Sequence, residues 1–249
     1  MRKLNELELK GKKYIIFDMD GTLIDSIGTW NVTDCRLIKE FSGIEITFSD
    51  IQKDREAFLK NHQEGDIYLD YCQFLIEKYN LNISKEELLQ LRWDISGKYL
   101  EEEMVFKPGA VELLFFLKSL GLTLILATAT TQTQIDIYSN KNKKMSSQLN
   151  VKDFFDLILT KESVKSRKPH PEIYLNVMKY YNAIPSECLV FEDSLHGIIA
   201  AKEAGIETVN VYDSYSDNDR EKIDELTDYK INDFNEFVLL LNGYFKIKI

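Results

Sequence analysis

An α/β fold built on a parallel sheet is the expectation for this 249-residue chain, on three observations. Five short apolar runs, YIIF (14–17), LTLILA (122–127), DLILT (156–160), CLVF (188–191) and TVNVY (208–212), have the length, β-branching and polar ends of buried strands. Stretches of helical period lie between the later runs, and strands alternating with helices imply a parallel sheet covered on both faces. The third observation is where the polar chemistry falls: acids, a threonine and a lysine follow successive runs, at the carboxyl ends where open parallel sheets bind ligands.

Taken in order, the first run ends at Asp18-Met19-Asp20-Gly21. About a hundred residues then pass before the second run, far more than the roughly 30 of a complete βα crossover, so a separate body is expected there. Trp30, Leu37, Ile38 and Phe41 share one helical face; Ile67, Tyr68, Tyr71, Cys72, Leu75 and Tyr79 share another; Leu88, Leu91, Ile95 and Tyr99 a third. Ser49 with Gln52 and Ser84 with Glu87 have capping-box spacing and predict two helix starts. The insert therefore reads as a small helical bundle, with its aromatic stripes as core. Beyond it, Pro108-Gly109 leads into a helix over 110–120 closed by Gly121. Pro171 opens a second, with Ile173, Tyr174, Val177, Met178 and Tyr181 on one face. A third runs from Ser194 as N-cap to Ala204, ended by Gly205. The acidic stretch 213–228 is expected to be a solvated loop and helix face.

Composition narrows the function. Forty-one acids against 31 bases give a formal net charge of −10, which disfavours duplex nucleic acid and anionic membranes as partners. The apolar stretch 111–127 is broken by Lys118, Ser119 and Gly121, so no membrane span is expected. Cys35, Cys72 and Cys188 show neither a metal-ligand spacing nor a disulfide framework, and a cytoplasmic location suits them.

Taken singly, the residues at the strand ends have ordinary explanations. Asp20-Gly21 fits a turn, Thr128 and Ser194 fit helix caps, Lys168 a surface base, and Glu192-Asp193 a first-turn dipole partner. Together, Asp18, Asp20, Thr128, Lys168, Glu192 and Asp193 converge on one rim. Such carboxylates repel one another and need a cation. Magnesium suits hard oxygen ligands and shares its shell with phosphate. With Lys168 beside it, an anionic phosphoryl group could be held despite the negative field of the protein. Backbone N–H groups at Met19 to Gly21 and at Ala129-Thr130 are further candidate anion contacts.

The order DMDGT (18–22), an apolar run ending in Thr128, Lys168 in KPHPE (168–172), and FEDS (191–194) resembles the four motifs of the haloacid dehalogenase superfamily in its phosphatase branch. The resemblance extends over nearly the whole chain and is closest to the β-phosphoglucomutase-like and phosphoglycolate phosphatase-like subfamily. It implies a Rossmann-like three-layer core over residues 1–25 and 104–249, with a helical cap over 26–103. It also implies the roles. Asp18 is the nucleophile that becomes an aspartyl-phosphate, and Asp20 the general acid and base. Thr128 bonds the transferred phosphoryl oxygens, and Lys168 offsets charge between nucleophile and phosphate. Gly21, Ala129 and Thr130, among the backbone anion contacts already expected from the residues themselves, are the candidates to bind the substrate phosphate. Magnesium is held by the Asp18 carboxylate, the Asp20 carbonyl and Asp193, with Glu192 as an outer ligand or partner of bound water.

Two positions depart from the family pattern. Arg167 stands beside Lys168 where relatives commonly place a small residue, and it is an alternative phosphate contact; Pro169 and Pro171 fix the register in favour of Lys168. Trp30 stands where the β-phosphoglucomutases carry an early cap histidine, and His62, His170 and His196 offer no obvious replacement. The implied activity is hydrolysis of a small phosphorylated metabolite of sugar-phosphate type. Sugar-phosphate mutation through the same intermediate and a non-catalytic phosphate-binding scaffold are the alternatives.

Overall fold

The computed structural model describes residues 7, 9–62 and 66–239. Contacts divide the chain into two compact units, Met1–Asp25 with Glu103–Ile249, and Ser26–Glu102.

In the larger unit six strands form one all-parallel sheet in the order β3-β2-β1-β4-β5-β6. They are β1 (Tyr14–Phe17), β2 (Thr123–Ala127), β3 (Leu157–Leu159), β4 (Cys188–Glu192), β5 (Glu207–Val211) and β6 (Tyr229–Ile231). β1 lies in the middle, with Phe17 level with Leu126 of β2 and Phe191 of β4. The chain moves outward from β1 in one direction through β2 and β3, then returns to the other side for β4. The reversal leaves a crevice at the carboxyl end of β1. Ile15, Ile16, Leu124, Ile125, Leu189 and Val190 are fully buried, as expected of a parallel sheet with both faces covered.

The helices that follow include α5 (Ala110–Ser119), α9 (Glu172–Tyr181), α10 (Leu195–Glu203) and α11 (Arg220–Leu226). On α9, Ile173, Tyr174, Val177 and Met178 pack against β1, β2 and β4 side chains, on the face the periodicity predicts. Ser194 caps α10, its hydroxyl accepting from the Gly197 N–H at 3.1 Å. After β2 come α6 (Gln132–Asp136), a π-helical turn Ile137–Lys141, α7 (Lys143–Ser146) and α8 (Val151–Phe154).

The stretch 213–228 is more than a solvated surface. Asp213, Ile223 and Thr227 are buried, and the chain continues into β6, which pairs with β5. The strand escapes the pattern because it has only three residues, with Lys230 between its two apolar ones.

The helical unit comprises α1 (Ile27–Ser42), α2 (Phe48–Asn61), α3 (Ile67–Tyr79) and α4 (Lys85–Glu102). Leu37, Ile38, Tyr71, Cys72, Leu75 and Leu88 make up much of its core. The box at Ser84 forms: its N–H donates to Glu87 Oε2, and its Oγ accepts from the Glu87 N–H, both at 3.3 Å. The one at Ser49 does not. Thr47 caps α2 instead, in extended backbone, its Oγ accepting from the Asp50 N–H at 3.2 Å. At the centre of the bundle Asp34 is fully buried and accepts from Arg92 at 2.7 Å and Arg55 at 3.3 Å. Arg92 lies over the rings of Trp30 and Tyr71, and Trp30 meets Trp93 edge-on at 5.5 Å.

Candidate active site

Asp18 extends the β1 ladder by one step, its N–H donating to Phe191 O at 3.0 Å, and its side chain is buried at the crevice. The chain then turns sharply. Gly21 takes the turn at φ +84°, a conformation that disfavours any side chain, and its N–H donates to Ile24 O at 2.8 Å. From the loop after β3, Lys168 reaches the same point. Its ammonium donates to Asp18 at 2.7 Å, to Glu192 at 2.6 Å and to the Ala127 carbonyl at 3.1 Å, and lies over the Tyr174 ring. Glu172 shapes that loop by accepting from the N–H groups of Lys165 and Ser166. Arg167, by contrast, is exposed, and its side chain forms no hydrogen bond or ion pair with a described residue, so the ammonium at the acids belongs to Lys168.

Glu192 ends β4 and Asp193 follows it. The second Glu192 oxygen accepts from the N–H and hydroxyl of Ser194, at 3.0 and 3.1 Å. A Cβ on Gly197 would lie 1.7 Å from Glu192 Oε1, so only glycine leaves room for this carboxylate against α10. One Asp193 oxygen accepts from the Thr22 hydroxyl at 2.7 Å; the other, Oδ2, is buried and has no partner among the described residues. Asn210 holds the backbone from below, donating to the carbonyls of Glu192 and Asp193.

Asp20 is gripped from the β2 side. Its carboxylate accepts from the Thr130 hydroxyl and, at 3.4 Å, from the hydroxyl of Tyr138, which is fully buried on the π-helical turn. Thr128 is buried, and its Oγ accepts from the Thr130 N–H at 3.0 Å. Of the backbone donors expected around an anion, the Gly21 and Thr130 N–H groups are thus already used. Those of Met19 and Ala129 donate to no described atom.

The electrostatics follow from burial. Desolvation pushes Asp18 up to about 7; Lys168 opposes the rise, while Glu192 and Asp20 add to it. Asp193 is raised well above the usual carboxylate range by burial, then by Glu192, Asp18 and Asp213. Burial alone would lower the Lys168 ammonium, but Asp18 and Glu192 outweigh it and hold its pKa well above the ordinary value. One ammonium faces three buried acids. Oxygens of Asp18, Glu192 and Asp193 lie within 4.8 Å of one another, and the partnerless Asp193 Oδ2 is the acceptor a hard divalent cation would satisfy. The residues fit such an ion.

Residues 15–211 match the family of haloacid dehalogenase-like hydrolases. The chain belongs to that family. Among its relatives, the Thermotoga maritima phosphorylated carbohydrates phosphatase is 32% identical over 195 residues, 78% of this chain and 82% of that protein. Hexitol phosphatase B of Escherichia coli is 26% identical over 221 residues, 89% of this chain and 92% of the other. A Thermotoga maritima crystal structure assigned by name to the β-phosphoglucomutases superposes with a TM-score of 0.71 at 27% identity. It covers 94% of this chain and 99% of its own. The parallel six-stranded sheet is thus the haloacid dehalogenase-like fold.

Within this hydrolase the structure brings Asp18, Asp20, Thr128, Lys168, Glu192 and Asp193 to one rim. It adds two residues for which the sequence predicts no role: Thr22, inside DMDGT, and Tyr138, an ordinary residue until the fold places it. Among the histidines, His62 stacks on Phe58 within its own helical unit, His170 accepts from the Glu172 N–H, and His196 is exposed; none is bonded to the clustered acids.

Proposed function

We propose that this hydrolase is a magnesium-dependent phosphatase of small phosphomonoesters, of sugar-phosphate type, acting through an aspartyl-phosphate on Asp18. The observation that carries the reading is the Asp18 carboxylate held by Lys168 beside an independently held second acid, Asp20. One acid is placed to attack and the other to move protons.

In the first step an Asp18 oxygen bonds to phosphorus as the ester P–O bond breaks, and the leaving alkoxide takes a proton from Asp20. In the second, Asp20, now ionised, takes a proton from water as the water oxygen attacks phosphorus, and the Asp18 carboxylate departs. Inorganic phosphate is released, and the Asp18 carboxylate and protonated Asp20 are regenerated. Lys168 keeps the nucleophile and the incoming anion from repelling each other. The Thr128 hydroxyl and the free N–H groups of Met19 and Ala129 bind phosphoryl oxygens, where fixed donors stabilise developing charge. Asp18 and Asp193, with the Asp20 carbonyl, would hold the metal and Glu192 would support it from outside. Magnesium there supplies neutralisation of phosphoryl charge.

The names of the two phosphatase relatives, one acting on phosphorylated carbohydrates and one on hexitol phosphates, support the sugar-phosphate class. The three free cysteines suit a reducing cytoplasm. A screen for inorganic phosphate release over sugar phosphates, nucleotides and phosphoglycolate tests the proposal, with expected loss of turnover in EDTA and in Asp18→Asn. Turnover that survives both treatments rejects the mechanism. The mutase-named neighbour supports a second reading. Interconversion of 1- and 6-phosphates without phosphate release would establish it instead.

A further inference from the structure

A second ammonium lies at the carboxyl ends of the strands, outside the cluster of acids around Lys168. Lys107, just before Pro108-Gly109 and α5, points its Nζ at three acceptors. These are the Gly21 carbonyl, Asp213 Oδ2 at 2.7 Å and the Tyr212 carbonyl at 3.2 Å. An ammonium has three donors, and all are used. The Lys107 and Asp213 side chains are 12% and 4% exposed, so their pair is shielded from solvent. The acceptors after β5 are themselves fixed. Arg220 donates to the Asp213 carbonyl at 2.8 Å and to Asn210 Oδ1 at 3.0 Å, and Asp213 Oδ1 accepts from the Tyr215 N–H. Lys107 is also tied through its backbone: its N–H donates to Leu23 O at 2.8 Å, and Phe106 bridges Ile24 in antiparallel fashion.

The Gly21 peptide is the joint between two side chains of the site. On one side is Asp20; on the other is Thr22, whose hydroxyl holds Asp193. The Gly21 N–H is fixed on Ile24 O, and its carbonyl is fixed by Lys107. With the peptide groups on both sides of Gly21 pinned, the backbone that carries Asp20 is held where Thr130 and Tyr138 meet its carboxylate.

We infer that Lys107 is a positioning residue for the reaction: by clamping the Gly21 carbonyl to the buried Asp213 it sets where Asp20 delivers its proton. The inference rests on the proposed role of Asp20 as proton donor. A lysine that merely stabilised the fold through an ion pair would affect all substrates alike. A lysine that places the proton donor matters most when the leaving group is basic and needs the proton.

The experiment compares kcat/KM for p-nitrophenyl phosphate and phenyl phosphate at saturating magnesium. Phenolate is the more basic leaving group, and kcat/KM reports the step in which it departs. The variants are Asp20→Asn, Lys107→Met, Lys107→Arg and the double variant Lys107→Met/Asp213→Asn, which avoids burying an unpaired carboxylate; circular dichroism confirms folding. Asp20→Asn and Lys107→Met should each lose about 10-fold or more in excess on phenyl phosphate, within the range of general acid catalysis. The double variant should keep that selective loss, and Lys107→Arg should recover most of it. A selective loss in Asp20→Asn, with uniform or no loss in the folded double variant, overturns the inference alone. Uniform loss in Asp20→Asn itself overturns the proton-donor role and this inference with it.

Discussion

Gly197 shows how much of the site depends on a missing atom. Glu192 lies against the first turn of α10, where a methyl group on residue 197 would occupy its carboxylate. The same carboxylate anchors Lys168, which in turn holds Asp18. Gly197→Ala should therefore displace the lysine and lower kcat by about 10²-fold, the usual consequence of ångström-scale misplacement of catalytic groups. Steady-state kinetics beside circular dichroism checks this, because alanine is a better helix former and the helix itself should persist. In the sequence the glycine lies inside the helix expected from Ser194 to Ala204 and carries no signal of its own. Its reason, the approach of a side chain from a neighbouring strand end, is a tertiary fact.

At the scale of elements, the five strands predicted from apolar runs all form, within a residue or two of their expected ends. Their signal is strong because a strand buried on both faces has almost no polar residue to interrupt it. β6 was illegible for the opposite reason. The start of α2 shows another limit: Thr47 and Ser49 both have cap chemistry, two residues apart, and only the extended backbone at Thr47 decides between them. Thr47→Ala should destabilise the helical unit by about 1 kcal/mol, measurable by urea unfolding, whereas Ser49→Ala should have little effect. Asp18, Thr128 and Glu192 were legible for the same geometric reason as the strands, each directly following a run whose end could be read, whereas Lys168 lies further along its loop and took its register from Pro169 and Pro171. Lys107, Tyr138 and the Asp34–Arg92 pair were not. Each depends on residues far away in sequence, and charged residues on a helical stripe read as solvent-facing until a partner is placed opposite.

The whole molecule carries the cost of concentrating acids in a buried crevice. Asp18 has a folded pKa of about 7 against 3.8 when exposed, so the folded state binds more protons between those values. Its contribution opposes folding increasingly as pH rises from about 4 to about 7, and is constant above that. Asp193 shifts in the same direction. In EDTA, thermal stability should fall across this range, and Asp18→Asn should flatten part of the fall, with its advantage greatest above pH 7 and absent near pH 4. Magnesium, which requires the ionised acids, should raise the melting temperature most at the alkaline end. A melting curve independent of pH and metal would show that these carboxylates are not strained by burial.

Trp30 and Trp93, stacked edge to face beside the Arg92 guanidinium, are the two tryptophans of the chain. Indole emission is therefore a private signal of the four-helix body, to which the sheet contributes nothing. An unfolding curve read by fluorescence reports that body alone, while far-ultraviolet ellipticity averages over both. Any gap between the two midpoints measures directly how far the bodies melt as separate cooperative blocks.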